Sequence, residues 1–169
     1  MRKIMIIGSG GAGKSTLAKE LGALLHIPVH HLDAYYWQPG WNPISREDNI
    51  RIQQTIFKSE SWIIDGNYGS TMDDRMKACD TIIFLNYSTI RCLYGITRRR
   101  IQYRGKTRPD MGEGCPEKLD LQFIHWVANY KRKNTPAIKT KLGLLKDKNI
   151  IELKSPKQTR RFVKNIRLK

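Results

Sequence analysis

Four consecutive apolar residues, Ile4-Met5-Ile6-Ile7, run into Gly8 without a polar interruption. A short continuous run ending in glycine predicts a strand buried on both faces, as in a parallel sheet. The period then changes. Over residues 14–25, Leu17, Leu21, Leu24 and Leu25 fall at the spacing of one helix face. Residues 28–32 read as a second strand. Ser45 with Asp48 three positions later has the form of a helix N-cap, opening a helix to about Lys58. Trp62-Ile63-Ile64-Asp65-Gly66 is a third strand with an acidic end, and residues 81–85 are a fourth. Ile90, Leu93, Tyr94 and Ile101 mark a helix that also carries Arg98, Arg99, Arg100 and Arg104. Residues 105–116, rich in Gly, Pro and charge, predict a mobile loop. Leu119, Phe123, Trp126, Val127 and Tyr130 form another helical stripe, followed by a fifth strand at 149–153 and a last helix at 156–166. Strands alternating with helices from end to end predict an α/β fold around a parallel sheet. Without an internal repeat, a low-complexity segment or a linker, residues 1–169 read as a single domain.

Composition changes this picture little, and charge changes it more. At 169 residues and 40% apolar content, the chain is long and apolar enough to bury a sizeable core. No apolar run approaches the ~20 residues of a membrane span, and the apolar stretch after Arg2 and Lys3 is too short for a signal-peptide core. Cys79, Cys92 and Cys115 are widely spaced and odd in number, which suggests reduced thiols in a cytoplasmic protein rather than a disulfide framework or a zinc site. The formal net charge of +16 is unevenly spread: residues 1–90 carry nine basic and nine acidic side chains, residues 91–169 carry 22 and six. A basic half attracts polyanions such as nucleotides, nucleic acid or an acidic membrane surface, or simply keeps a face solvated.

One motif carries chemistry. Gly8-Ser9-Gly10-Gly11-Ala12-Gly13-Lys14-Ser15 matches G-x-x-x-x-G-K-[ST] at every fixed position, between a predicted strand and a predicted helix. Glycines let successive backbone N–H groups curl around a phosphate, and the following helix aims its positive end at the same anion. Residues 8–16, ending at Thr16, therefore form the expected nucleotide cradle, with Lys14 reaching the outer phosphates and Ser15 a ligand for Mg2+. Such a loop needs an acidic strand end to help hold the metal. Asp65 closes the third strand and is the expected partner of Ser15, while Asp33 closes the second. Either carboxylate also suits a plain turn or cap. Strand ends converge on the ligand crevice of such sheets, which favours both at the site.

With these residues placed, the chain resembles the adenylate-kinase-like nucleoside and nucleotide kinases over nearly its whole length. His31-Leu32-Asp33, Trp37, Trp41 and Trp62-Ile63-Ile64-Asp65-Gly66-Asn67-Tyr68 are more narrowly similar to the DNA topology modulation proteins. The resemblance implies a three-layer P-loop NTPase fold with five parallel strands in the order 2-3-1-4-5. It also implies an acceptor-binding segment at about 34–58 and a mobile lid at about 104–116. Arg100-Ile101-Gln102-Tyr103-Arg104 is similar to the R-x-x-x-R entry of a kinase lid, so Arg100 and Arg104 are expected to swing together onto the phosphates. Lys154-Ser155-Pro156-Lys157 would lie near the adenine. Two features depart from the adenylate type. Asn67-Tyr68-Gly69 replaces the usual Phe-Pro-Arg after Asp-Gly, and Trp126 stands where a further lid-side arginine is expected.

Asp33 bears on the acceptor. A phosphate acceptor needs no general base, whereas a hydroxyl acceptor benefits from one. Asp33 resembles the base of small hydroxyl-phosphorylating kinases, and a ribose or metal-water ligand is the alternative. Tyr35, Tyr36, Trp37 and Trp41 either stack on a substrate or pack the segment onto the core. Two functions are expected from these features. The first is an ATP- and Mg2+-dependent phosphotransferase acting on a small molecule through Lys14, Asp33, Arg100 and Arg104. The second is a regulator that uses ATP as a switch and binds nucleic acid through the basic half, for which no base-reading motif is visible.

Overall fold

The computed structural model describes residues 1–168. In chain order the elements are β1 (Lys3–Gly8), α1 (Lys14–Leu25), β2 (Val29–His31), α2 (Leu32–Tyr36), β3 (Trp37–Gln38), β4 (Asn42–Pro43), α3 (Arg46–Phe57) and β5 (Trp62–Asp65). They continue with α4 (Met72–Ala78), β6 (Thr81–Leu85), α5 (Thr89–Gln102), α6 (Leu121–Lys133), α7 (Thr135–Leu144), β7 (Asn149–Leu153) and α8 (Pro156–Arg167). Five strands form one parallel sheet in the order β2-β5-β1-β6-β7, and β3 with β4 make a separate antiparallel hairpin. Without the hairpin, the order is the expected 2-3-1-4-5.

The apolar run of β1 is buried because the sheet is covered on both sides. Ile4, Met5, Ile6 and Ile7 are all 0% exposed, and each such side chain contributes about 1.5–3 kcal/mol. Side chains alternate across the pleat. Ile4 and Ile6 pack with Ile63, Ile83 and Leu85 against Leu17 and Leu21 of α1, Ile96 of α5 and Val163 of α8. Met5 and Ile7 pack with Trp62, Ile64, Ile82 and Phe84 against Ile56, Met72, Met76, Ile138 and Leu142. Trp126 of α6 touches both clusters.

The register sets the site. Ile6 pairs with Asp65, His31 pairs with Asp65, and Gly8 pairs with Leu85, so the carboxyl ends of four strands finish together. Strand order reverses around β1, and a crevice opens at that point.

Several elements differ from the sequence reading. The second strand stops at His31, and Leu32 opens α2. α4 and α7 were not legible. α4 shows only the pair Met72 and Met76, and the apolar positions Ile138 and Leu142 of α7 are diluted by lysines. Their helicity comes from docking on the sheet, which overrides weak local signals. The segment 105–116 forms no helix or ladder, only bridges between Arg104 and Glu117 and between Thr107 and Pro116. It is nonetheless packed down: Arg108, Asp110, Met111 and Cys115 are buried. Its contacts are with the β3–β4 hairpin. Gly40 N–H donates to Gly114 O at 3.1 Å, the Trp41 indole donates to Pro116 O at 3.1 Å, and Cys115 Sγ–H donates to Gln38 O at 3.0 Å. The expected acceptor-binding segment and the expected lid thus meet above the crevice.

Candidate active site

The loop from Gly8 to Gly13 joins β1 to α1, and its backbone explains its glycines. Gly13 caps α1 at a φ of +88°, a left-handed value that a side chain would strain. Gly11, at a φ of +75°, lies against α5 so closely that a Cβ there would overlap the carbonyl of Cys92. A Cβ at Gly95 would in turn overlap the Gly11 carbonyl. Gly95, unremarked in the sequence, is what lets α5 pack flush on the loop. Ser9 and Ala12 are buried inside the turn, Gly10 lies under the Phe123 ring, and Thr16 is exposed. Lys14 folds back and donates to the carbonyls of Gly8 and Ser9, each at 3.0 Å. Burial pushes its ammonium below the usual lysine range, and Asp33 and Asp65 pull the other way. An arriving phosphate would answer the same charge.

Ser15 and Asp65 are brought together: Ser15 Oγ donates to Asp65 Oδ2 at 2.7 Å. Asp65 is 4% exposed, and its other oxygen lies 2.5 Å from His31 Nδ1, directly across the strand pair. A hydroxyl beside a carboxylate held in place by a histidine is a hard, all-oxygen donor pair, the type Mg2+ takes alongside phosphate oxygens and water. Asp110 of the lid segment also reaches this corner. Burial alone would raise its carboxyl, but Arg108 and contact with Ser15 outweigh that and hold it below the usual carboxylate range.

Asp33 faces the crevice from α2, and Tyr68 Oη donates to its Oδ1 at 2.7 Å. Burial and the Asp33 charge push the Tyr68 phenol far up, so it stays protonated as the donor. Tyr68 is placed by Arg75, which is fully buried and donates to the carbonyls of Gly66 at 2.7 Å and Tyr68 at 2.6 Å. Burial lowers the Arg75 guanidinium to about 10. Arg75 thus braces the Asp65-to-Gly69 loop and presents no free fork to a ligand. Asn67 is equally committed: Gly8 N–H donates to its Oδ1 at 3.1 Å, and its Nδ2 donates to Gly8 O at 2.6 Å.

The arginines at the crevice are not the expected pair. Arg100 donates to the Glu117 carbonyl, and Arg104 is an exposed bridge residue beside Glu117. Arg99 and Arg108 line the crevice instead. Helix phase accounts for this. Gly95 faces the loop at Gly11, and Arg99, one turn on from Gly95, continues that face toward the crevice, whereas Arg100 follows Ile96. Both crevice arginines are held by Glu117, which no sequence motif marks. Its carboxylate is 1% exposed, with Oε1 2.8 Å from Arg99 Nε and Oε2 2.6 Å from Arg108 Nε.

Three cavities meet here. One of about 490 Å3 lies over the loop and is lined by Gly13, Lys14, Ser15, Arg99 and Arg108. A second, of about 560 Å3, runs from Lys14 past Tyr68 to Trp126 and Lys133. The third, of about 440 Å3, lies between Trp41 and Phe123 under the lid segment. Asp33 and Arg99 line all three. Residues 154–157 line none of them.

No protein-family model matches the chain, and no curated protein matches it. Solved structures do share its fold. Shikimate kinase from Bacteroides thetaiotaomicron superposes with a TM-score of 0.57 at 18% identity, covering 98% of this chain and 95% of that one. Shikimate kinase from Acinetobacter baumannii, in complex with shikimate, superposes with a TM-score of 0.59 at 13% identity, covering 98% and 90%. The chain therefore has the P-loop kinase fold.

Proposed function

We propose that this chain is an ATP-dependent phosphotransferase that moves the γ-phosphate to a hydroxyl of a small molecule. The observation that carries this reading is the position of Asp33 and Arg99 at the junction of the cavity over the phosphate loop with the two cavities beyond it. One cavity takes the nucleotide, the others take the acceptor, and the reacting atoms meet where the three join. The backbone of residues 8–16 and Lys14 hold the phosphates. Ser15 and Asp65 would hold Mg2+, which would supply positive charge against the outer phosphates. Asp33, oriented by Tyr68, takes the acceptor proton as the hydroxyl oxygen bonds to the γ-phosphorus and ADP leaves with the bridging oxygen. Arg99 and Arg108 offset charge on the transferring group in place of the expected Arg100 and Arg104. The chain acts as one domain in which residues 34–58 and the segment 104–116 close together and exclude water. ADP release from Mg-ATP, measured with a panel of small acceptors and with Lys14→Ala as the blank, tests it. A large Lys14-dependent stimulation supports the reading; no stimulation by any acceptor refutes it.

A second reading concerns the basic half and the similarity to DNA topology modulation proteins. On α8 and the turn before it, Lys154, Lys157, Arg160, Arg161 and Lys164 are all exposed, and among the described residues none of them has an acidic partner. They are spaced for contacts to a polyanion backbone. Duplex DNA binding that weakens steeply between low and physiological salt supports this reading, and salt-insensitive binding or none refutes it.

A further inference from the structure

On the acceptor side of Asp33, most of the polar side chains that line the cavities are already committed to other parts of the chain. The polar side chains Asn67 and Tyr68 of the 65–69 loop, and Arg75 of α4 that braces it, are already committed. The Tyr68 hydroxyl goes to Asp33, Asn67 takes both backbone groups of Gly8, and Arg75 takes the carbonyls of Gly66 and Tyr68. Arg99 and Arg108 are paired with Glu117, and Lys141 with Asp73. Among the described residues, Lys118 and Gln122 of the smaller cavity and Lys133 and Asn134 of the larger make no side-chain hydrogen bond or ion pair; the rest of the wall is largely aromatic. Trp37, Phe123 and Trp126 line both cavities beyond Asp33, with Tyr68 and Tyr130 adding faces to the larger one. Phe123 and Trp126 lie nearly parallel, with ring centroids 5.8 Å apart and an interplanar angle of 17°.

A polyol would bring more hydroxyls into this chamber than its few uncommitted side chains can meet, at the cost of burying unpaired polar groups. A flat ring meets what the walls offer, since aromatic faces stack on any π-surface. A cavity of about 560 Å3 also has room for a ring system, well inside the range typical of ligand sites. At its outer end Lys133 and Asn134 are uncommitted through their side chains and can meet ring heteroatoms.

We propose that the acceptor is an alcohol carried on a flat aromatic or heteroaromatic ring, which stacks among Trp37, Phe123 and Trp126 and presents its hydroxyl to Asp33. This rests on the phosphotransferase reading above. The ring-face contacts set which alcohol enters, and Asp33 sets which of its hydroxyls reacts.

The test uses the full chain with Mg-ATP for turnover and a non-hydrolysable ATP analogue for calorimetric binding. Adenosine, thymidine and pyridoxine are the flat-ring alcohols; shikimate and gluconate are the ring-face-free comparators. At least one flat-ring alcohol is expected to bind and to stimulate Lys14-dependent ADP release, and the comparators to do neither. Trp37→Leu and Trp126→Leu keep an apolar side chain but remove the ring face. Each should weaken binding of the active alcohol roughly 5- to 100-fold and leave analogue affinity within about twofold. Trp126 also packs in the core, so a cooperative thermal transition is required of that variant, and Trp37→Leu provides the independent reading. Asp33→Asn should bind the alcohol and not turn it over. Turnover of shikimate or gluconate but of no flat-ring alcohol overturns the inference while the phosphotransferase reading survives. Unchanged alcohol affinity in both tryptophan variants also overturns it. No stimulation by either class removes the phosphotransferase reading itself and the inference with it.

Discussion

Glu117→Gln is the most informative single change at this site. The carboxylate is 1% exposed and lies between Arg99 and Arg108, which are 23% and 6% exposed. The amide keeps the shape and removes the charge, leaving two guanidiniums facing each other with one neutral acceptor between them. Removing one partner of a buried ion pair typically costs ~3–5 kcal/mol. Two features reduce that here. Arg108 keeps Asp110 at 2.8 Å, and Arg99 is exposed enough to relax toward water. The expected loss is therefore about 2–3 kcal/mol, or a Tm lower by roughly 5–10 °C for a chain of this size. The functional effect should be larger than this loss implies. Arg99 would leave the junction of the three cavities, and loss of one positioned donor to a transferring group lowers kcat about 100-fold. Nucleotide affinity, set by the phosphate loop, should fall far less. Thermal unfolding by circular dichroism, fluorescent-ATP binding and ADP release with the best acceptor give the three quantities. Glu117→Asp, which keeps the charge on a shorter stem, should recover part of the turnover. A Glu117→Gln protein with unchanged Tm and unchanged turnover would refute the argument that this carboxylate positions both arginines.

Gly95→Ala places a Cβ into the Gly11 carbonyl. It should cost about 1–3 kcal/mol through overpacking and weaken ATP binding, since α5 must lift off the loop; wild-type ATP affinity by calorimetry would contradict the close packing. Tyr68→Phe removes the hydrogen bond that orients Asp33. It should lower kcat roughly tenfold with the KM for ATP unchanged, and a rise in that KM alone would place Tyr68 on the nucleotide side instead. Asp80 accepts from the backbone N–H groups of Arg2 and Lys3 at 2.7 and 2.9 Å. Burial opposes its ionisation, but these bonds and one from Thr81 outweigh burial and hold its carboxyl below the usual 3.8. An acid depressed in the folded state stabilises above its unfolded pKa and loses that contribution as pH falls through the folded value. Asp80→Asn should therefore be less stable than the parent from pH 5 to 7, with the difference shrinking below about pH 3.8; a difference that persists in acid would refute the assignment.

Much of this protein is legible in its sequence because the relevant signals are local. The phosphate loop needs only its glycines, Lys14 and Ser15 in succession, and the strand before it and helix after it follow from the runs of Ile4 to Ile7 and Leu17 to Leu25. Asp65 is legible as a strand end, whereas Asp33, expected to close the second strand, lies just past it in the first turn of α2; both still reach the crevice because parallel strand ends converge there. What tertiary structure alone decides is which polar groups remain free. Nothing in the sequence marks Arg75 as the brace of the loop after β5, a role that its burial against Gly66 and Tyr68 creates. Arg100 looks as eligible as Arg99 until the packing of Gly95 on Gly11 sets which face of α5 meets the loop. Glu117 has no motif around it, and its importance exists only once the lid segment folds back to place it between Arg99 of α5 and Arg108. Hydrogen bonds and ion pairs between distant residues leave no periodic trace in the chain, because their energy depends on distance and burial that only packing creates.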